Sequence, residues 1–390
     1  MTIEAQGVEP APAPGRGPTL EALGWTAALA AAFAGLDAES GDSRRPARVV
    51  AEDRGSYQVL GPAGEQRASV TGRFRFETSD PAAFPAVGDW VAIGAGPTDD
   101  PNESTNDRSQ TDTIIHAVLP RWSALIRQAA GRRTEAQVVG ANLDVVFVVA
   151  SLNGDLNLRR LERYVAVAWE SGAEPIVLLS KADLTDDAEA ILAAVSAVAA
   201  GAAVMVVSSF DGRGVEAVRA RIGPGRTAAF VGSSGVGKST LLNRLAGEER
   251  AGVSEIRAGD ARGRHTTTRR QIHLLPEGGL VLDTPGMREL ALWDGDGLEQ
   301  SFADIDRLAE ACRFGDCAHN AEPGCAIRAA IAAGSLPAER LESWRKLQRE
   351  ARHHERQVSV LARHEERRKW KAISKSVGKH MDAKYGAERW

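Results

Sequence analysis

The sequence predicts a multidomain chain: a small N-terminal β-barrel, a doubly wound α/β domain, and a helical C-terminal domain that binds a metal. Three observations predict this. Short alternating strands crowd the stretch from about Arg48 to Leu119. Near-continuous apolar runs alternate with helical patterns from Leu143 to about Leu292. All three cysteines fall between Cys312 and Cys325.

The 390 residues suffice for two or three domains, and 43% hydrophobic content permits real cores. No run approaches the ~20 apolar residues of a membrane helix. The N-terminus, MTIEAQGVEPAPAPGRG, lacks the pattern of a secretory signal. A soluble, cytoplasmic protein without a membrane partner is expected, and a monomer. The net charge of −4 does not by itself suggest a nucleic-acid binder.

Residues 1 to about 18 are rich in Ala, Pro and Gly and read as a flexible extension. A packing helix is expected over Leu20 to Leu36. In the barrel region, ARVVAEDRGSYQVLG, RASVTGRFRF, VGDWVAIG and DTIIHAVL alternate apolar and polar residues between turn residues. About five strands in ~75 residues suit an OB-fold, with another small barrel as the alternative. The polar stretch from Asp99 reads as an exposed hairpin loop.

LDVVFVVAS, from Leu143, is a near-continuous apolar run, as expected for a buried parallel strand. Helices are expected over Leu158 to Ser171 and Asp187 to Ala200. Strands are expected over Pro175 to Leu179 and in AVMVVSS, TAAFVG and GLVLDTPG. This alternation predicts a doubly wound sheet.

Gly232, Ser233, Ser234, Gly235, Val236, Gly237, Lys238 and Ser239 fit G-x-x-x-x-G-K-[ST] in full. Glycines let backbone N–H groups close around phosphates. Lys238 supplies a charge to the β/γ oxygens, and Ser239 is placed to ligate Mg²⁺. Thr240 continues the helix whose N-terminus faces the anion. Downstream, Asp283 ends an apolar strand, suited to Mg²⁺ through water, and Gly286 can meet a γ-phosphate.

Ser180, Lys181, Ala182 and Asp183 resemble the [NT]-K-x-D motif that reads guanine. A carboxylate can accept from guanine N1–H and the N2 amino group together, donors that adenine lacks. The lysine stem covers the base plane. Serine replaces asparagine at the first position, which predicts reduced nucleotide affinity. Ser208 also follows a strand and is placed near the base.

The order of these motifs is informative. The base-reading segment precedes the phosphate loop, so the domain reads as a circularly permuted P-loop GTPase. EIRAGDARGRHTTTRRQ, from Glu255 to Gln271, reads as a switch loop. Thr266 or Thr267 would sense Mg²⁺, with Thr267 preferred. Met287 occupies the position where a glutamine orients water in many GTPases. Slow intrinsic hydrolysis follows, with His265 or a group from a bound partner as candidates to help.

Cys312, Cys317, His319 and Cys325 supply three thiolates and an imidazole, a set suited to one structural Zn²⁺. The tail places seven basic residues, Arg367, Arg368, Lys369, Lys371, Lys375, Lys379 and Lys384, around Trp370 and Tyr385. It reads as an RNA contact or as a solvated amphipathic helix.

Together these features resemble the bacterial ribosome small-subunit-dependent GTPase A family over about residues 46 to 375. The likeness rests on the barrel, LPRWSALIRQAAGRRTEAQVVGANLD, the order SKAD–GSSGVGKST–GRHTTT–DTPG, and the Cys/His cluster. The resemblance implies an OB-fold, a permuted GTPase domain and a zinc-finger domain. It also implies GTP hydrolysis stimulated by the small ribosomal subunit, during late maturation of that subunit. Ribosomal RNA and assembly factors such as ribosome-binding factor A would be its neighbours, with GTP or GDP bound. Expected boundaries are 1–45 extension, 46–135 OB barrel, 136–295 GTPase domain and 296–390 zinc domain with basic tail. The alternatives are an RNA-binding module with a structural nucleotide, and a permuted GTPase acting elsewhere than on ribosomes.

Overall fold

The computed structural model describes residues 17–40, 44–53, 55–78, 80–95, 113–128, 136–152, 156–185, 188–199, 201–247, 270–283 and 296–352. The Asp99 loop, His265, Thr266, Thr267, Gly286, Met287 and the basic tail lie outside the described residues. Among the described residues, no helix is long and apolar enough to cross a membrane.

The helix expected from Leu20 starts later, as α1 (Ala27–Ser40). Gly24 takes φ +88°, which ends a preceding turn, and Thr26 Oγ1 then accepts from the Leu29 N–H. This is a serine/threonine-type cap, which fixes the start of a helix. Leu23 and Leu29 are buried, and Trp25 meets Trp90 edge-on at 4.7 Å.

Five strands build the barrel: β1 (Arg45–Asp53), β2 (Ser56–Gly61), β3 (Gly64–Val70), β4 (Trp90–Ala95) and β5 (Thr113–Val118). They pair in the order β1-β2-β3-β5-β4, and β4 returns to β1, so the sheet closes on itself. β3 and β5 run parallel, and the other pairs antiparallel. Closure removes the exposed edges a five-stranded sheet would otherwise carry. Val49, Val59, Val91, Ile93 and Ile115 fill the interior.

RASVTGRFRF is not one strand. β3 stops at Val70, and α2 (Gly72–Glu77) follows. Thr71 Oγ1 accepts from the Phe74 N–H and caps that helix. The alternation in RFRF imitates a strand period, but the cap decides the structure.

A hairpin that patterning did not mark, β6 (Ala124–Gln128) with β7 (Ala136–Ala141), leads to the second sheet region. There the elements are β8 (Val145–Ser151), α3 (Leu158–Glu170), β9 (Glu174–Ser180), α4 (Ala188–Val198), β10 (Ala203–Val206), α5 (Val215–Ile222), β11 (Thr227–Val231), α6 (Lys238–Ala246), β12 (Gln271–Leu274) and β13 (Leu280–Asp283). Strand order is β10-β9-β8-β11-β13-β12, parallel except for β12. Phe147 stacks on Phe230 at 5.0 Å on one face, while Val146, Val148, Leu161 and Val165 pack on the other. Burial on both faces explains the unbroken apolar runs.

The barrel and this sheet are continuous, because β12 pairs antiparallel with β1 at Gln271 and Ala51. Arg48, on β1, is fully buried at the junction. It donates to the carbonyls of Leu23, Gly88 and Asn142 and lies 5.7 Å from the Trp90 ring centre. Burial pulls its guanidinium down to about 10, against the charges of Asp144 and Asp89.

After the sheet the described chain is helical: α7 (Asp296–Ser301), α8 (Ala303–Glu310), α9 (Ala326–Ala332) and α10 (residues 338–352). Gly297 sits so close to α3 that a Cβ there would meet the Ala166 carbonyl oxygen at 2.1 Å. A buried network reinforces this contact. Arg340, from α10, donates to Asp304 at 2.6 and 2.7 Å, to Glu162 of α3 at 3.0 Å and to the Ser301 carbonyl.

Candidate functional site

In a parallel sheet, ligands bind beyond the carboxyl ends of the strands. That edge gathers Ser180 from β9, Ser208 after β10, the loop after β11, and Asp283 from β13. Residues as far apart in the chain as Ser180 and Asp283 therefore share one rim.

The loop from Gly232 to Gly237 needs its glycines. Gly232, at φ +145°, lies so near β8 that a Cβ would meet the Val149 carbonyl oxygen at 2.3 Å. Gly237 takes φ +96° at the start of α6. Lys238 folds back, and its ammonium donates to the carbonyls of Gly232 (2.8 Å) and Ser233 (2.6 Å). Ser239 and Thr240 are exposed in the first turn of α6, where N–H groups lack intrahelical partners. Such a helix start attracts anions.

Ser180 joins the two halves. Its Oγ donates to the Val236 carbonyl at 2.6 Å and lies 3.2 Å from the Ala150 carbonyl oxygen. The serine therefore braces the phosphate loop despite being shorter than asparagine. Lys181 takes the left-handed conformation, φ 59°, and turns the chain sharply. Ala182 is buried, and Asp183 points into the open. The Ser208 hydroxyl donates to Asp183 Oδ1 at 2.6 Å and accepts from the Phe210 and Asp211 N–H groups. Leu184 and Phe210 are two of only five large hydrophobic side chains exposed among the described residues, and both adjoin this pair. The result is an exposed carboxylate fixed by Ser208 with two apolar side chains nearby, an arrangement suited to a flat heterocycle with donors on one edge.

Asp283 is half-buried at the end of β13. Burial raises its carboxyl above the ordinary range, opposed by the charges of His273 and Lys238. A divalent cation beside it would favour the ionised form.

The four metal-ligand candidates also converge. Their ligand atoms all lie within 4.8 Å of one another. His319 Nδ1 is 3.6 Å from both Cys312 Sγ and Cys325 Sγ, and those sulfurs are 4.0 Å apart. A tetrahedral zinc with Zn–S of about 2.3 Å requires sulfurs about 3.8 Å apart, so the set fits. Cys325 and His319 are buried, and His319 takes φ 60° to reach inward. Despite the opposing effect of burial, the N–H groups of Ala326 and Ile327 hold the Cys312 thiol below its ordinary value. Arg345, from α10, donates to the Ala318 and His319 carbonyls and locks the loop onto that helix.

Sequence reading missed one participant at the rim. Arg160, in the first turn of α3, donates to Ser233 Oγ of the phosphate loop. A signal existed: Arg159 and Arg160 open a helix whose N-terminus disfavours positive charge. The orienting role of Ser208 toward Asp183 was also beyond spacing alone.

Comparison with known proteins gives the family. The RsgA GTPase family matches residues 118–293. A small ribosomal subunit biogenesis GTPase RsgA 2 of Lactiplantibacillus plantarum is 47% identical over 303 residues, 78% of this chain and 82% of the relative. The protein named small ribosomal subunit biogenesis GTPase RsgA in Streptomyces coelicolor is 43% identical, over 95% of this chain and 97% of its own. Among solved structures, YjeQ from Thermotoga maritima superposes with a TM-score of 0.57 at 24% identity, covering 79% of this chain and 98% of that one. YloQ, described as a circularly permuted GTPase, gives 0.55 at 22%, covering 81% and 97%. With an OB-type barrel, a permuted order of nucleotide motifs and a Cys₃His cluster behind them, the chain belongs to the RsgA GTPase family of GTP-hydrolysing enzymes.

Proposed function

We propose that this GTPase acts in maturation of the small ribosomal subunit, as a late checkpoint. The subunit stimulates hydrolysis, and hydrolysis promotes release of assembly factors. The observation that carries the reading is the convergence of Asp183, Lys238 and Asp283 on one sheet edge, continuous with a barrel, in a chain that also gathers a Cys/His cluster. The names borne by close relatives over most of the chain support the ribosomal assignment.

In this reading Asp183 accepts from the guanine edge, while Lys181 covers its face. Backbone groups of residues 232–237 and the Lys238 ammonium hold the phosphates. Ser239 and Asp283 hold Mg²⁺, which draws charge from the β- and γ-oxygens when bound. Gly286, Thr267 and His265 complete the γ-phosphate side. One zinc, held by Cys312, Cys317, His319 and Cys325, fixes the C-terminal helices, since four protein ligands leave no open position. Ribosomal RNA is the partner of the barrel and zinc domain, with factors such as ribosome-binding factor A as neighbours. The protein works in the cytoplasm as a monomer. Its functional divisions are 1–45, 46–135, 136–295 and 296–390.

The test is GTP turnover with and without purified small ribosomal subunits, with Lys238→Ala as the blank. Strong stimulation that vanishes in the blank is expected. GTP binding without stimulation would remove the subunit as the trigger.

A further inference from the structure

Three arginines near the start of α3 behave differently. Arg159 pairs with Glu342 at 3.0 Å, and Arg163 pairs with Glu350 at 3.1 Å, both on α10. Arg160 turns the other way, to Ser233 Oγ, and has no carboxylate partner among the described residues. The carbonyl of the same Ser233 accepts from the Lys238 ammonium. Two cations thus converge on one residue of the phosphate loop. Both are cations, and Arg160 stands in a first helical turn that disfavours positive charge, while the Lys238 charge also reaches Asp283. Such an arrangement is favourable when an anion sits between them.

We propose that Arg160 is a catalytic residue of GTP hydrolysis, its guanidinium leaving Ser233 to hydrogen-bond the γ-phosphate oxygens opposite Lys238. The proposal rests on the reading of residues 232–239 as the GTP phosphate site. In the reaction, a water oxygen bonds to the γ-phosphorus while the bond from that phosphorus to the β,γ-bridging oxygen breaks. The bond's electron pair stays on the β-phosphate of GDP, and both protons of the water end on inorganic phosphate, which releases one to solvent according to pH. Charge on the transferring group is greatest at its outer oxygens, where a planar, five-donor guanidinium acts best. In sequence Met287 replaces the glutamine that follows D-x-x-G in many GTPases, so charge stabilisation from within the chain matters more here.

The experiment compares Arg160→Ala and Arg160→Gln with Arg159→Ala as the control. Affinities for GDP and for a non-hydrolysable GTP analogue are measured by calorimetry with Mg²⁺, and hydrolysis by single turnover at saturating GTP. Both Arg160 variants should bind GDP within about twofold of the parent, yet bind the analogue roughly tenfold more weakly, as loss of one charged hydrogen bond implies. Their single-turnover rate should fall on the order of 10²-fold or more. Arg159→Ala should match the parent. Equal weakening of GDP and analogue would make Arg160 a brace for the loop and overturn the proposal, as would an unchanged rate. Failure of the phosphate-loop reading itself looks different: Lys238→Ala would then hydrolyse GTP like the parent.

Discussion

Ser180 and Val236, 56 residues apart, are joined by a 2.6 Å hydrogen bond from hydroxyl to carbonyl. In the proposed reading, the bond ties the base-reading segment to the phosphate-binding loop. Both residues are buried, so water cannot replace the bond. Ser180→Ala leaves a buried carbonyl without its donor, at a cost of about 1–3 kcal/mol. GDP affinity should fall roughly tenfold, while the preference for GDP over ADP persists because Asp183 is untouched. Calorimetry with both nucleotides checks this.

Asp183→Ala should act in the opposite way. Losing two hydrogen bonds to a charged acceptor removes selectivity, by on the order of 10²-fold between GTP and ATP. Competition binding with ATP reads it. If ATP already competes equally against the unaltered protein, the base-reading role of Asp183 is wrong.

Metal content offers a third check. Protein prepared under reducing conditions should carry about one zinc per chain, and Cys317→Ser should carry much less. Removing the metal should lower far-UV helical signal from α9 and α10. GDP binding should survive, because the phosphate loop draws no residue from that cluster.

Arg340→Met strands Glu162, a carboxylate 4% exposed, in the interface between α3 and α10. Loss of one partner from a buried pair costs about 3–5 kcal/mol. Urea unfolding should show that loss, with the phosphate loop sequence unchanged.

Within the same network Asp304 predicts acid sensitivity, while burial raises the Glu162 carboxyl and gives it the opposite dependence. Although burial works the other way, the Arg340 guanidinium holds the Asp304 carboxyl below the usual carboxylate range. Its folded value thus lies below its unfolded one, and in acid the unfolded chain binds more protons. The Asp304 contribution is present above about pH 4 and is lost as pH falls through the folded value. Melting curves of Asp304→Asn should therefore depend less on pH in that range than those of the parent.

Local patterns made much of this legible. Glycines with a lysine and a serine mark the loop after β11, whose backbone the structure shows to need glycine at Gly232 and Gly237. Clustered cysteines and a histidine announce a metal at short range. The barrel strands show as alternation, and the buried strands as unbroken apolar runs. The failures are of two kinds. RFRF alternates like a strand, yet Thr71 caps it into α2. The other kind is non-local: Arg340 meets Glu162 across 178 residues, and Arg160 meets Ser233 across 73. No window of sequence contains such a pair. The β12–β1 pairing is similar, since β12 begins where the predicted switch loop ends.

The position of β11 has a consequence for biosynthesis. It lies between β8 and β13 in the sheet, but it is translated after β8, β9 and β10. A nascent chain that has emerged only as far as residue 226 holds three strands in order, with the inner edge of β8 unpaired. That edge carries Val145, Val146, Phe147, Val148 and Val149, all destined for burial. An open apolar edge recruits other chains. Every ribosome making this protein therefore exposes a sticky strand until Thr227–Val231 arrives, and the insertion of β11 is both the last closure of that edge and the delivery of the phosphate loop behind it.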